Sequence, residues 1–275
     1  MGLAVKVHNR LFDLSSPKVM AIVNLTPDSF YISWDGDGYD ALCNHIELLL
    51  RQGADIIDLG ACSTRPGSSP VDAVEEWRRL EGALCAVRER FPEAVLSVDT
   101  FRAEIAERAI QCGADIINDV YGGVDTNMWE VVAKYNIPYV LTLAQGLPKG
   151  SQIGYDYTMS GVVDFFQSRL DELHRTGVAD VIIDPGFGFA KTVEENYSIL
   201  RDMELLKVLS APVLVGVSRK SMLYKPLGLE AKDVLPATVA ANVLALERGA
   251  HILRVHDVAA AKQAVKVFQL THKLI

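Results

Sequence analysis

The sequence predicts an α/β protein built as a (β/α)8 TIM barrel, and three observations carry that expectation. First, one phrase recurs four times: Gly53-Ala-Asp-Ile-Ile-Asp58, Gly113-Ala-Asp-Ile-Ile-Asn118, Gly177-Val-Ala-Asp-Val-Ile-Ile-Asp184 and Gly249-Ala-His-Ile-Leu-Arg254. In each copy the glycine follows an amphipathic stretch, as the C-terminal cap of a helix does. The short β-branched run after it reads as a strand buried on both faces. Second, helix and strand patterns alternate along the whole chain, which builds a parallel sheet. Third, 275 residues is an ordinary length for one such barrel and enough to bury a substantial core.

Taken in order, the predicted strands cover 19–26, 54–63, 94–100, 114–120, 138–144, 179–185, 211–218 and 250–256. Helical periodicity fills the intervals, for example over 41–52, 71–90, 102–112 and 194–209, and a last helix over 258–270 closes the eighth unit. Residues 1–17 read as a short N-terminal hairpin or flap over the barrel bottom. No linker or low-complexity stretch marks a second domain, so residues 1–275 are expected to form one. A doubly wound open sheet is the runner-up, but it usually has fewer strands and a GxGxxG turn, which this chain lacks.

Composition narrows the function. Lys and Arg total 27 against 35 Asp and Glu, a net charge of −8 with no basic run, which disfavours nucleic-acid and membrane-surface binding. No apolar run approaches the roughly 18 residues of a membrane span, and the N-terminus lacks a signal-peptide core, so a cytoplasmic protein is expected. Cys43, Cys62, Cys85 and Cys112 lie far apart without a CxxC, consistent with reduced thiols. Against this acidic background Arg65, Arg219, Lys220, Arg254 and His256 fall at or just beyond strand ends. Basic groups gathered in one barrel mouth suit a small anionic ligand.

The strand ends supply the candidate chemistry. Asn24 precedes Leu-Thr-Pro-Asp-Ser-Phe30 and either offers an amide oxygen to a hard cation or forms an Asx turn before Pro27. Thr64 and Arg65 can hold phosphate oxygens, although a loop arginine alone is more often simply solvated. Asp99 tips the third strand and is either a site carboxylate or the cap of the next helix, for which Thr100 also competes. A buried Asp184 needs a partner, and a ligand with a donor–donor edge, such as a guanidine-like pyrimidinone, would provide it. Phe187 and Phe189, in a Gly-rich turn, either approach a flat ring or fill the core. Arg254 and His256 share one face of the last strand, near the frequent anion site of such barrels. Asp257 reads as a helix cap.

With these pieces in view the chain resembles dihydropteroate synthase. The matching segments are residues 19–30, Asp58-Leu-Gly-Ala-Cys-Ser-Thr-Arg-Pro-Gly67, Ser97-Val-Asp-Thr100, Ile116-Ile-Asn-Asp119, Asp184-Pro-Gly-Phe-Gly-Phe189, Gly216-Val-Ser-Arg-Lys220 and Ile252-Leu-Arg-Val-His-Asp257. The resemblance implies a transferase of folate biosynthesis, a sulfonamide target. It would join 6-hydroxymethyl-7,8-dihydropterin diphosphate to p-aminobenzoate through a dissociative, cation-like transition state. It implies that Asp99, Asn118, Asp184 and Lys220 hold the pterin, with Asp99, Lys220 and Arg65 as the catalytic set. Asn24, Thr64, Arg65, Arg254 and His256 would surround the diphosphate, Asn24 helping to bind Mg²⁺. Ser63, Thr64, Pro66, Phe189, Ser218 and Lys220 would form the p-aminobenzoate slot. A homodimer through the helices around strands 6 to 8 is implied as well. A pterin-dependent methyltransferase would not require 63–67 or 218–220, and a non-catalytic pterin-binding paralogue is the remaining alternative.

The chain departs from that pattern in three places. The fifth strand of the family usually ends in a Met-His-Met-like run, and here it reads Thr142-Leu-Ala-Gln-Gly146. Ala190 stands where a glycine is expected, which would stiffen its loop. The first loop, Tyr31-Ile-Ser-Trp-Asp-Gly-Asp-Gly38, carries Trp34 as either a lid over the aryl substrate or a packing residue.

Overall fold

The computed structural model describes residues 3–8, 10–25, 38–62, 71–144 and 157–273. Strands β1 (Ala4–Val7) and β2 (Arg10–Asp13) form an antiparallel hairpin. The barrel then runs β3 (Lys18–Asn24), α1 (Gly38–Arg51), β4 (Ile56–Gly60), α2 (Ala73–Arg90), β5 (Val95–Asp99), α3 (Ala103–Gln111), β6 (Ile116–Asp119) and α4 (Met128–Tyr135). It continues with β7 (Tyr139–Thr142), α5 (Met159–Thr176), β8 (Val181–Asp184), α6 (Val193–Asp202), β9 (Leu214–Val215), α7 (Ser221–Leu227), α8 (Leu235–Glu247), β10 (Ile252–Val255) and α9 (Val258–Thr271). The eight strands β3 to β10 pair in parallel in the order β8-β7-β6-β5-β4-β3-β10-β9. A bridge between Ile183 and Val213, with Ile183 N–H donating to Pro212 C=O at 2.9 Å, closes the ring.

The repeated phrase folds as its residue types demand. Gly53, Gly113, Gly177 and Gly249 all take φ between 94° and 99°, a conformation that glycine alone adopts without strain. The third position of three of the phrases fastens the barrel floor. Asp55 accepts from Val19 N–H (2.8 Å), Asp115 from Leu96 N–H (2.8 Å), and His251 Nδ1 from Val213 N–H (3.0 Å). Each of these amides lies at the start of the neighbouring strand segment. Asp180, in the copy that carries one extra residue, reaches instead to Lys6 N–H of the hairpin at 2.7 Å.

Alternation along the strands sorts side chains into two shells. Met20, Ile56, Ile116, Val140, Ile182, Leu214 and Ile252 point inward and pack with Val5, Val7 and Leu14, so the hairpin plugs the barrel bottom. Residues of the opposite parity, such as Ile57, Val98, Ile117, Leu141 and Leu253, pack against the surrounding helices.

Two expectations change. The strand predicted over 211–218 is reduced to two residues, because Pro212 has no N–H and the Val213 N–H is taken by the His251 imidazole. The helix predicted over 194–209 is α6 followed by a 3-10 helix, Met203–Leu209. Its start is fixed by a capping box in which Thr192 Oγ1 accepts from Glu195 N–H and Glu195 accepts from Thr192 N–H.

Candidate active site

One step above the apolar floor, the inward parity of the strands becomes polar. Asp58 on β4, Ser97 and Asp99 on β5, Asn118 on β6, Thr142 on β7, Asp184 on β8 and Arg254 on β10 continue the inward series begun by Ile56, Val95, Ile116, Val140, Ile182 and Ile252. The fully buried Asp58 is the hub of this layer. Its Oδ1 accepts from Ser97 Oγ at 2.6 Å, and its Oδ2 accepts from Asn118 Nδ2 at 3.1 Å and from Arg254 Nε at 2.7 Å. Arg254 spans to Asp99 as well, donating from Nη2 to Oδ2 at 2.6 Å. Burial works against the Arg254 charge, but Asp58 and Asp99 more than compensate and fix it as a cation.

The same crowding acts oppositely on the carboxylates. Burial pushes Asp99 up to about 7; Arg254 pulls it down, and the charges of Asp58, Glu76 and Asp119 push it up further. Asp184 is also raised by burial, with Lys220, the Gly186 N–H and Arg254 opposing. Its Oδ1 accepts from Gly186 N–H at 2.8 Å. Lys220 is brought down to about 8 by burial, against the attraction of Asp184. Its ammonium donates to the Phe187 carbonyl and lies 4.7 Å from the Phe189 ring centre. Lys220, Phe189 and Asp184 are therefore assembled by one turn. That turn requires Gly186, where a Cβ would lie 2.1 Å from the Leu143 carbonyl oxygen.

Beside them the buried Ser218 orients His256. Its Oγ lies 3.0 Å from His256 Nδ1 and accepts from His256 N–H at 3.2 Å, leaving the imidazole exposed at the mouth. Asn24 is likewise exposed at the end of β3, a single neutral amide oxygen. Among the described residues no group of three His, Cys, Asp or Glu could hold a metal ion. Asn24 fits a cation that brings its own phosphate ligands and waters, as Mg²⁺ does, and does not fit a protein-caged one.

The structure thus brings Asp99, Asn118, Asp184, Phe189, Ser218, Lys220, Arg254 and His256 to one end of the barrel, with Asn24 at its rim. Ser63, Thr64, Arg65 and Pro66 lie outside the described residues, as do Trp34 and Gln145-Gly146. Arg219 departs from expectation. Its guanidinium grips both oxygens of Asp257 at 2.8 and 2.7 Å and donates to the Ala231 and Lys232 carbonyls, so it braces a loop and is not a free cation of the mouth. Asp257, expected to cap α9, stands at the cap position but makes no side-chain capping bond.

Three supporting residues escape sequence reading. Asp58 appears there only as the end of a repeat. Lys191 donates to the carbonyls of Leu143 (2.9 Å), Gly186 (2.9 Å) and Phe189 (3.4 Å), tying the end of β7 to the turn after β8. Burial lowers its ammonium to about 7, with Asp184 opposing and Lys220 adding to the fall. Buried Glu76 pairs with Arg102 and accepts from Thr100 Oγ1 at 2.7 Å, stiffening the chain just beyond Asp99. A paired acid on a helix leaves no local signature that distinguishes it from a solvated one.

Comparison with known proteins agrees with this geometry. Residues 20–256 match the family described as pterin binding enzyme. The dihydropteroate synthase of Haemophilus influenzae is 37% identical over 268 residues, covering 96% of this chain and 97% of its own. The dihydropteroate synthase of Xanthomonas albilineans with 4-aminobenzoic acid superposes with a TM-score of 0.90 at 35% identity, over 99% of both chains. That of Yersinia pestis in complex with a sulfonamide drug does so with a TM-score of 0.90 at 35% identity, over 98% of this chain and 100% of its own. The family match over residues 20–256, the identity to relatives over nearly the whole length and an eight-stranded barrel that superposes on theirs end to end show that the chain belongs to the pterin-binding enzyme family, among the dihydropteroate synthases.

Proposed function

We propose that this pocket condenses 6-hydroxymethyl-7,8-dihydropterin diphosphate with p-aminobenzoate, releasing 7,8-dihydropteroate and diphosphate. The observation that carries the reading is the set of buried acceptors brought together with cationic and donor groups at one end of the barrel. Asp99, Asn118 and Asp184 present acceptors deep in the barrel, while Lys220, Arg254 and His256 stand above or among them as cations or donors. An amino-pyrimidinone edge would satisfy Asp184, and ring N–H groups would satisfy Asn118 Oδ1, which has no partner in the structure.

The chemistry follows from this placement. The bond between the pterin methylene and the diphosphate oxygen breaks, and positive charge spreads into the ring. Asp99 becomes a better anion as that charge develops beside it, which lowers the barrier by preorganised electrostatics. Arg254 and His256 would hold the departing oxygens, joined by Thr64 and Arg65. Mg²⁺, when bound to the diphosphate, supplies charge neutralisation at the leaving group, and Asn24 would hold it from the rim. The arylamine, positioned by Phe189, Ser218, Lys220 and residues 63–66, forms the new C–N bond and gives up one proton to the released diphosphate or to water. Positioning and electrostatics carry the reaction, with no protein nucleophile.

No helix among the described residues is long and apolar enough to cross a membrane, and all four cysteines are free. Free cysteines are what a reducing compartment maintains, and on that ground we propose a cytoplasmic enzyme. We also propose a homodimer: Leu227 and Leu229 at the end of α7, Leu244 on α8 and Val267 and Leu270 on α9 are exposed apolar groups on the last helices of the barrel. Gel filtration showing only monomer at micromolar concentration would exclude it.

The test is product formation from the two substrates with Mg²⁺ and with EDTA. Mg²⁺-dependent 7,8-dihydropteroate supports the synthase. Pterin binding without product would identify a non-catalytic paralogue that kept the pocket.

A further inference from the structure

Among the described residues, few buried side-chain oxygens lack a hydrogen-bond partner, and two of them belong to neighbouring strands of this pocket: Asn118 Oδ1 on β6 and Thr142 Oγ1 on β7. Thr142 is completely buried. It shares the inward parity of Val140, which lies in the interior cluster, and it pairs in register with Asp184 on β8. Its backbone carbonyl accepts from Ala144 N–H, and the next residue, Leu143, donates its N–H to the Asp184 carbonyl. The backbone around it is thus engaged, and the hydroxyl alone is idle. A valine of the same shape would fill this space without the penalty of an unpaired hydroxyl.

On either side of Thr142 the adjacent strands carry Asn118, whose amide oxygen is open, and Asp184, which receives a hydrogen bond from the described residues only at Oδ1. Thr142 is one strand spacing, about 4.8 Å, from its register partner Asp184, whereas Asn118 pairs with Val140 and so lies one inward position lower, on the diagonal from Thr142. The two flanking groups accept only at those oxygens, whereas a hydroxyl both donates and accepts. We infer that Thr142 is a specificity-determining residue whose hydroxyl hydrogen-bonds the edge of the bicyclic ligand between the atoms held by Asn118 and Asp184. This inference rests on the proposed pterin reading and adds to it a contact made by a group that both donates and accepts.

The test uses the full chain. Binding of 6-hydroxymethylpterin is measured by titration calorimetry for the wild type, Thr142→Val and Thr142→Ser, with melting temperatures of the free and liganded proteins and steady-state kinetics. Removal of one neutral hydrogen bond predicts that Thr142→Val binds pterin about five- to tenfold more weakly. Thr142→Ser should stay within about twofold, and the KM for p-aminobenzoate should move less than about twofold in both. The free Thr142→Val protein should melt at or above the wild-type temperature, because an unpaired buried hydroxyl has gone, while its gain on pterin binding shrinks. A role confined to packing would give the opposite: a lower melting temperature with unchanged pterin affinity. Valine binding as tightly as threonine overturns the hydroxyl contact and leaves the pterin reading intact. A wild type that binds no pterin overturns both.

Discussion

Replacing Asp58 by asparagine isolates the hub of the polar layer. The substitution keeps the shape and removes the charge. Of its two oxygens, one accepts from Ser97 Oγ and the other accepts from both Asn118 Nδ2 and Arg254 Nε. An asparagine amide can preserve one oxygen acceptor, and its NH₂ must then face either the Ser97 hydroxyl, which can turn to accept, or the two donors of Asn118 and Arg254, which cannot. Breaking a buried ion pair by removing one partner costs about 3–5 kcal/mol. Arg254 keeps Asp99 at 2.6 Å, so about half of that, roughly 2 kcal/mol, is expected here. For a chain of this size that is a fall of about 4–8 °C in melting temperature. The charge also acts on Asp99, which Asp58 helps to push up to about 7. With that charge removed, Asp99 ionises at lower pH, and the acid limb of the pH–kcat/KM profile moves down. The sign in stability follows: a carboxyl raised in the folded state binds its proton more tightly there than in the unfolded chain, so its destabilising effect grows as pH rises from about 4 to about 7 and is complete above that range. Asp58→Asn should narrow this loss. Thermal melts from pH 5 to 8 and the activity profile measure both effects. A variant with wild-type melting temperature and an unmoved acid limb would refute the view of Asp58 as a charged hub.

Three further outcomes are expected. Asp99→Asn should retain the wild-type circular dichroism spectrum and lose about two to three orders of magnitude in kcat, as removal of one electrostatic transition-state contact does; near-normal turnover would remove Asp99 from that role. Lys191→Met should lower stability by about 1–3 kcal/mol through the carbonyls of Leu143, Gly186 and Phe189 left unpaired, and should raise the KM for p-aminobenzoate more than that for the pterin substrate, since the Phe189 turn loses its brace; an equal effect on both would argue for general damage. Ala190 adopts φ of 48°, so Ala190→Gly should raise the melting temperature by about 2–4 °C, corresponding to about 1 kcal/mol of relieved left-handed strain, read by calorimetry.

The barrel was legible in the sequence because its signals are local. A glycine after an amphipathic stretch and a β-branched run after the glycine each report on their own few residues, and Gly53, Gly113, Gly177 and Gly249 all adopt the conformation they imply. Strand-end carboxylates such as Asp99 and Asp184 were legible for the same reason, since a strand's length and parity place its last side chain. The ties between strands were not. Arg254 meets Asp58 across 196 positions of sequence, and Arg219 turns to Asp257 because that partner sits 38 positions away. Nothing in either segment announces those pairings. The shortness of β9 was hidden in the same manner, because the imidazole that takes the Val213 N–H arrives with the next strand.

The side chains that fasten the barrel floor have a consequence at its opposite end. In a strand, moving the pairing by one residue exchanges the faces of every side chain. Had β6 slipped by one position against β5, Ile117 would point where Asn118 now does, and the pocket would present hydrocarbon. Asp55, Asp115 and His251 each bind one particular amide of the adjacent strand segment, and each lies three positions before Asp58, Asn118 and Arg254. Those three positions span about 10 Å of strand. The polarity of the mouth is thereby indexed from the floor: an amide captured at the bottom determines which side chain meets the ligand at the top.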